Sequence, residues 1–178
     1  MRFEPASHEH LERICEITEH AKRQLRGLGL DQWQKGYPSR EVWENDIREQ
    51  TGYVAIEDGE VLGAFALQVD PEPSYAHIEG SWLTDGSPYL SMHRVCVADG
   101  FKGRGIAGQM FAFALQRARM LGSASLRIDT HPGNLPMQHA LEKAGFCRCG
   151  SIVLVGGCEK GGPRIAYEQL VVDEGDGS

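Results

Sequence analysis

A glycine-rich turn between an apolar strand and a helical pattern is the feature that most constrains this chain. Gly103, Gly105 and Gly108 occupy the point where the strand pattern ends and the helical one begins. Glycines there let the backbone approach a ligand closely and adopt conformations that other residues avoid. The unpaired N–H groups of a helix's first turn, together with the helix dipole, attract anions. Lys102 and Arg104 add positive charge, so the turn predicts a phosphate or pyrophosphate site.

One candidate ligand for such a turn is a dinucleotide. Gly103-x-Gly105-x-x-Gly108 formally matches the dinucleotide fingerprint, and Asp129 follows roughly 20 residues later, where a ribose-binding acid belongs. The spacing argues against this alternative, because the first glycine of that fingerprint closely follows its strand. The segment after Asp129 predicts only a helix and a hairpin, which is too little for the second half of that fold.

The hydrophobic pattern elsewhere predicts one mixed α and β domain. The chain has 178 residues, which favours a single domain with one sizeable core. Asp58-Gly59 between two apolar runs is a strong hairpin signal, since both positions tolerate a positive φ. Helices are predicted after Ser7 and Ser39. The remaining predicted helices cover residues 105–121 and 136–144, and the strands cover 1–5, 53–57, 60–67, 89–97, 125–130, 146–155 and 164–172.

Composition excludes several function classes. The chain carries 18 Lys and Arg against 25 Asp and Glu, a net charge of −7, which disfavours nucleic-acid and membrane partners and mildly favours a cationic substrate. We find neither a signal peptide nor an apolar stretch long enough to span a membrane, so we expect a cytoplasmic protein. The five cysteines are scattered and odd in number, and Cys147-x-Cys149 lacks zinc-ligand spacing. We therefore expect reduced thiols and no metal.

The segment from Arg94 to Ala107 resembles the acyl-CoA-binding motif of the GNAT superfamily, the Gcn5-related N-acetyltransferases. That motif is a strand, a short loop and Arg/Gln-x-x-Gly-x-Gly/Ala at a helix start. Here it is Lys102-Gly103-Arg104-Gly105-Ile106-Ala107, in which Lys replaces the usual Arg or Gln and keeps the charge. The hairpin at residues 55–63 and the segment Asn134 with 141–146 also resemble the family. The resemblance covers nearly the whole chain.

This resemblance implies a fold and an activity. The fold would be a single GNAT-like α+β domain over residues 1–172, followed by a polar tail at 173–178. Its mostly antiparallel mixed sheet of about six or seven strands would have a V-shaped split between the fourth and fifth strands, with about four helices on its faces. The activity would be transfer of an acyl group, most simply acetyl from acetyl-CoA, to a primary amine of a small molecule or peptide in a ternary complex. A CoA-binding module without turnover is the alternative, and a homodimer stays open.

The resemblance also implies a set of cofactor-binding residues. Backbone groups of Val95, Cys96 and Val97 would pair with the pantetheine arm, and a nearby amide would polarise the thioester carbonyl. Asn134 would contact the same arm. We expect the thiol of Cys96 to be structural rather than an acyl carrier. The N–H groups that would hold the pyrophosphate belong to Lys102, Gly103, Arg104, Gly105, Ile106, Ala107 and Gly108.

The motif does not specify which residues act as the general acid and the general base. An ammonium must lose a proton before it attacks, so a base is required. His93 is a candidate because imidazole titrates near neutral pH, and the alternative is a strand histidine that only forms a hydrogen bond or faces away from the site. Glu79 could order a water, and His131 lies at a strand end or caps a turn. In many relatives the general acid is a Tyr at the position where this chain has Leu141, which cannot donate a proton.

Two consequences follow for the rest of the site. The thiolate either leaves unprotonated or takes a proton from His93, Tyr89, His131 or Tyr167. Aromatic side chains in the first half of the chain could form a slot for an amine through cation–π contact, against the alternative of core packing. The predicted acceptor-binding residues are Trp33, Trp82 and Tyr89.

Overall fold

Four helices and a single sheet form in nearly the predicted order. The computed structural model describes residues 1–172, and the predicted polar tail at 173–178 lies outside the described residues. The helices are α1 (Leu11–Gly27), α2 (Arg40–Arg48), α3 (Ile106–Met120) and α4 (Leu135–Lys143). The strands are β1 (Arg2–Pro5), β2 (Gly52–Glu57), β3 (Glu60–Gln68), β4 (Glu79–Gly80), β5 (Tyr89–Val97), β6 (Ser125–Thr130), β7 (Cys147–Val153) and β8 (Pro163–Leu170).

The strand β4 is not predicted by the sequence. The sheet therefore has eight strands in the described residues, rather than six or seven. Strand β4 has only two residues and pairs antiparallel with β7, Glu79 opposite Ser151 and Gly80 opposite Gly150. A Cβ atom on either glycine would collide with the backbone of the other strand, so the two chains approach closely because both residues are glycine. A two-residue strand is too short to show an alternating hydrophobic pattern.

The sheet is mostly antiparallel, as predicted. Its strand order is β1-β2-β3-β5-β6-β8-β7-β4. Within residues 1–172, β5 and β6 form the one parallel pair, and α3 makes the crossover between them. The other pairs, including β6–β8 and β7–β8, are antiparallel. The Asp58-Gly59 hairpin forms between β2 and β3, with φ of 51° and 80° at the two turn residues.

A split opens the sheet between β5 and β6. The two strands pair over three residues each, Tyr89–Ser91 with Ser125–Arg127, and the pairing then stops. Beyond that point, Met92 to Val97 and Ile128 to Thr130 line the two walls of a cavity. This opening is the predicted V-shaped split. Because its walls are strands, the split presents backbone groups of both strands to any ligand between them.

A β-bulge in β5 accompanies the split. Ala64 of β3 pairs with Cys96 and Ala66 pairs with His93, so β5 contains one residue more than its partner at this point. Arg94 lies within the bulge and has a φ of 56°, a conformation that non-glycine residues seldom adopt. A bulge bends its strand and increases the local twist. The bend lies in the wall of the cavity, immediately beyond the paired part of β5.

In the described residues, two large hydrophobic cores cover the two faces of the sheet, in addition to a smaller third cluster. Leu90, Leu126 and Ile128 pack with α3 and α4 on one face. Ile14 and Trp43, from α1 and α2, pack on the other. No helix among residues 1–172 is both long and apolar enough to cross a membrane.

Candidate functional site

The cavity in the split has a volume of about 1570 Å³ and extends across both cores. Its walls come from the second half of β5, the end of β6, the first turns of α3 and α4, the end of α1, and the β7–β8 loop. Two parts of the cavity differ in charge. The first part lies at the start of α3, and the second lies between the end of β6 and the segment before β4.

The glycine-rich turn has the geometry of an anion site. Gly105 is the residue before the first turn of α3, with a φ of 74°, and Gly103 has a φ of 77°. A Cβ atom on Gly103, Gly105 or Gly108 would have no neighbour within 4 Å, so the space above the turn is open. All three glycines line the cavity. The first N–H groups of this 15-residue helix therefore face an open, ligand-sized space.

Only one of the two predicted cations lines the cavity. Lys102 is part of its wall, and partial burial lowers the pKa of its ammonium. Arg104 points elsewhere: its guanidinium donates to Glu57 at 3.0 Å and lies 5.2 Å from the centre of the Phe101 ring. The expectation that the Arg104 side chain adds charge to the ligand site is therefore wrong, because a carboxylate of the β2–β3 hairpin attracts it away.

The strand β5 lines the cavity at Val95, Cys96 and Val97. Cys96 is buried, and its Sγ contacts the carbonyl oxygen of Ala64 at 3.7 Å. Burial raises the pKa of the Cys96 thiol to about 12, so the thiolate that an acyl carrier requires does not form at neutral pH. This agrees with the expected structural role of Cys96.

The start of α4 holds Asn134 at the cavity. Its Oδ1 accepts a hydrogen bond from the N–H of Met137 at 3.3 Å, which caps the helix. Leu141, near the end of α4, is completely buried in the core. Tyr167 is turned toward α4 as well, where its hydroxyl donates to Glu142 at 3.1 Å. Burial raises the pKa of Tyr167 to about 12.

His93 lines the cavity but does not titrate as expected. Its Nε2 lies 2.9 Å from Oγ of Ser91 and 3.8 Å from Oε2 of Glu72, and its side chain is 15% exposed. Burial, and secondly the charge of Arg94, lowers the pKa of His93 to about 3. The imidazole is therefore neutral at physiological pH. The prediction that it titrates near neutral pH is wrong, because desolvation disfavours the imidazolium.

The other two predicted catalytic side chains lie outside the cavity wall. Glu79 is exposed on the edge strand β4. His131 shapes the turn before α4: its Nδ1 accepts from the N–H of Gly133, and its Nε2 lies 2.9 Å from Oδ1 of Asp31. This is the turn-capping role that the sequence left open for His131.

Among the three predicted aromatic contacts, Trp33 lines the cavity and the other two do not. Trp82 and Tyr89 lie on either side of Arg127, each ring centre 4.1 Å from its guanidinium carbon. The guanidinium also donates to Glu168 at 3.0 Å, and both of these charged groups are buried. Trp82 and Tyr89 therefore hold the segment before β5 against the sheet. Their prediction as acceptor contacts is wrong because Arg127, distant in sequence, binds their ring faces.

Sequence reasoning missed a group of acidic side chains in the second part of the cavity. Glu72, Asp129 and Glu159 all line it. Burial, countered by the hydrogen bond from Tyr75 and the charge of Arg164 and reinforced by the two other carboxylates, raises the pKa of Asp129 to about 6. The signal available in the sequence is the position of Asp129 at the end of a strand, where sites form, although the dinucleotide fingerprint predicts it only as a ribose contact.

The site therefore combines a split sheet, an open glycine-rich turn at a helix start and a cavity lined by residues of both cores. The model of the acetyltransferase (GNAT) family matches residues 12–146. The chain therefore belongs to the GNAT acetyltransferase family.

Solved structures agree with this assignment. A GNAT-family acetyltransferase from Streptococcus agalactiae is 32% identical, with a TM-score of 0.88, and the match covers 97% of this chain and 96% of that one. An N-acetyltransferase from Staphylococcus aureus is 21% identical, with a TM-score of 0.67 and coverage of 96% and 98%. The ribosomal-protein-alanine N-acetyltransferase of Brucella melitensis is 20% identical, with a TM-score of 0.66 and coverage of 96% and 99%. These last two share the fold. No curated protein matches this chain significantly.

Proposed function

We propose that this protein transfers an acetyl group from acetyl-CoA to a primary amine by direct attack in a ternary complex. The observation that carries the proposal is one continuous cavity with an anion-binding turn in one part and a carboxylate group in the other. Phosphates suit the first part, and a protonated amine suits the second. Membership of the acetyltransferase family supplies the reaction class.

The residues of the first part fit the phosphates of CoA. The N–H groups at the start of α3 are free to bind oxygen atoms, and Lys102 lies beside them. Backbone groups of Val95 and Val97 face the split beyond the last paired residue of β5, so they suit the amides of the pantetheine arm. Asn134 borders the same space. When bound, acetyl-CoA supplies an activated acyl thioester.

The residues of the second part suit a cationic acceptor. Glu72, Asp129 and Glu159 contribute three carboxylates, while the guanidinium of Arg164 pairs with Glu159 at 3.3 Å. The guanidinium of Arg94 is matched by Asp46. The excess of negative charge attracts an ammonium, and the Trp33 side chain provides an apolar wall beside it.

The reaction requires little from a protein acid. The amine nitrogen forms a bond to the acyl carbon as the carbon–sulfur bond breaks, and the sulfur leaves as a thiolate. Since a thiol has an ordinary pKa of about 8.5, the thiolate can leave unprotonated and take its proton from water. A buried Leu141 is compatible with this route.

A CoA-binding module without turnover is the second candidate. The observation that favours it is Leu141, which replaces the family's acidic Tyr and is completely buried. The dinucleotide alternative does not fit, because within residues 1–172 the strand after the crossover pairs antiparallel with β8 instead of starting a second parallel half.

Release of free thiol from acetyl-CoA tests the proposal. The purified protein would be assayed with an α,ω-diamine, free amino acids, a lysine-containing peptide and a peptide that begins with alanine. The last is included because the Brucella neighbour is a ribosomal-protein-alanine N-acetyltransferase. Amine-dependent thiol release supports the proposal. Stabilisation by acetyl-CoA in thermal melts without release by any amine favours the module, and stabilisation by NADH alone overturns both.

A further inference from the structure

A hydrogen bond joins two walls of the acidic part of the cavity. The hydroxyl of Tyr75 donates to Oδ2 of Asp129 at 2.7 Å, across 54 positions of sequence. Tyr75 belongs to the 3₁₀ helix Pro73–Tyr75, and its buried ring lies 5.0 Å from the Trp82 ring and 6.2 Å from the Tyr89 ring, centre to centre. These contacts fix the hydroxyl, so the Asp129 carboxylate is held in one orientation.

The register of the sheet places Asp129 at the split. Ser91 and Arg127 are the last residues through which β5 and β6 pair with each other, and His93 and Asp129 each follow two positions later. Since side chains alternate along a strand, Asp129 lies on the face opposite Ile128, which packs toward α3 and α4. Asp129 therefore borders the cavity just beyond the point where the pairing of β5 with β6 stops.

The charged and titratable groups that act on Asp129 come from three segments. Tyr75 and Glu72 lie before β4, Glu159 lies in the β7–β8 loop, and Arg164 lies on β8. Their combined effect, together with burial, places the pKa of Asp129 at about 6. The carboxylate is thus ionised at neutral pH, and its pKa lies close to that pH, which is the condition that suits a base. His93 faces the same cavity from β5, but its pKa of about 3 makes it a poor base.

Building on the proposed acetyl transfer, we propose that Asp129 is the catalytic base and that Tyr75 is the residue that positions it. The carboxylate of Asp129 takes one proton from the acceptor's ammonium. The freed lone pair forms the bond to the thioester carbon and the carbon–sulfur bond breaks. The nitrogen then loses its second proton, which reaches the departing thiolate through water. Asp129 releases its own proton to solvent as the amide product leaves. Protons and electrons balance, and no oxidant or metal is involved.

Two variants and two matched controls test this assignment. The variants are Asp129→Asn and Tyr75→Phe, and the controls are Asp58→Asn in the β2–β3 turn and Tyr53→Phe on β2, where the ring stacks on Phe65. The readouts are kcat/KM from pH 5 to pH 9 with the best amine, and acetyl-CoA affinity from thermal melts. The unmodified protein should show an acidic limb with an apparent pKa near 6.

Asp129→Asn should lower kcat/KM by about 100-fold or more and abolish the acidic limb, with acetyl-CoA affinity unchanged. Tyr75→Phe should keep substantial activity but shift the acidic limb to higher pH, because it removes a hydrogen bond that favours the ionised carboxylate. The controls should retain the profile of the unmodified protein.

Full activity and an unchanged limb in Asp129→Asn would overturn the assignment while leaving acetyl transfer intact. A limb that stays in place in Tyr75→Phe would overturn the positioning role, and this variant keeps the test decisive if Asp129→Asn fails to fold. Absence of thiol release by the unmodified protein with every amine would instead overturn the proposed function itself, so the two failures are distinguishable.

Discussion

Arg94 donates two hydrogen bonds to Asp46, from Nε to Oδ2 at 2.8 Å and from Nη2 to Oδ1 at 2.7 Å. The two side chains are 8% and 3% exposed, so the pair is buried. Nη1 of Arg94 also donates to the hydroxyl of Tyr37 at 2.9 Å. Because Arg94 lies in the β5 bulge with a positive φ, these bonds anchor the bulge to α2. We infer that they maintain the bend at the split.

Removal of one partner of this pair should strongly destabilise the fold. Asp46→Ala leaves the Arg94 guanidinium buried without its counter-ion, and we expect the free energy of unfolding to fall by about 3–5 kcal/mol. The double variant Asp46→Ala with Arg94→Met should be more stable than Asp46→Ala alone, since no charge is left unpaired. Urea unfolding measures both. Arg48→Ala, which affects an exposed pair with Glu49, is the control and should cost less than about 1 kcal/mol. Equal losses in Asp46→Ala and the control would contradict the argument.

Gly105→Val should abolish acetyl-CoA binding. A β-branched side chain at a φ of 74° is strained, and its methyl groups would occupy the open space above the turn. Gly122→Val is a matched control, because Gly122 has a φ of 72° and equally open surroundings just after the far end of α3. Both variants should lose about 1–2 kcal/mol of stability, but Gly105→Val alone should lose ligand affinity in calorimetric titration. Unchanged affinity in Gly105→Val would disprove the placement of the phosphates.

His93 should make the fold less stable in acid. Its pKa is about 3 in the folded protein and near 6.5 when unfolded, so between these values only the unfolded chain takes up the proton. The free energy of unfolding should therefore decrease as pH falls from 6.5 to 3, by up to about 1.4 kcal/mol per pH unit from this group. Comparison of His93→Gln with the unmodified protein in urea at several pH values isolates this slope. The exposed His8→Gln is the control. A difference that does not vary with pH would refute the prediction.

Asp129 should have the opposite effect. Its folded pKa of about 6 lies above the unfolded value near 3.8, so the native state favours the neutral acid, and stability is lost as pH rises from 3.8 to 6. Asp129→Asn removes this loss. The variant should be more stable than the unmodified protein by about 1–3 kcal/mol at pH 7 and similar to it at pH 4. A variant that is less stable at pH 7 would show that the Asp129 carboxylate stabilises the fold.

Substitution of Trp33 should affect acceptor binding, whereas substitution of Trp82 should affect stability. Trp33→Phe alters the cavity wall, so the KM for the amine should rise by about threefold, because a Phe ring makes a weaker cation–π contact than the indole. Trp82→Phe lies against Arg127 and should lower the melting temperature with an unchanged KM. Steady-state kinetics with thermal melts measure both effects. A higher KM in Trp82→Phe would indicate that the segment before β5 does contribute to acceptor binding.

Features that depend on neighbours in sequence were predictable. The Asp58-Gly59 hairpin forms because both residues accept a positive φ, which is a local property. The glycine-rich turn likewise forms from glycines at Gly103 and Gly105 followed directly by α3. Both motifs lie where the sequence placed them.

Features that depend on long-range contacts could not be predicted from the sequence. The sequence predicts that Trp82 lines a pocket, but the fold places Arg127 against its ring, although the two residues are 45 positions apart. Strand β4 exists because Gly80 and Gly150 allow two distant segments to approach closely. His93 has the residue type of a base, but its burial decides its pKa.

The glycine-rich turn and the alternation of helices and strands were determined by the sequence itself, because dihedral preferences and hydrophobic periods act over a few residues. The tertiary structure alone decided which charges share the cavity. It pairs Arg104 with Glu57, away from the cavity, and places the Tyr75 hydroxyl against the Asp129 carboxylate. Such choices depend on the desolvation and electrostatic neighbours that each group acquires only when distant segments pack together.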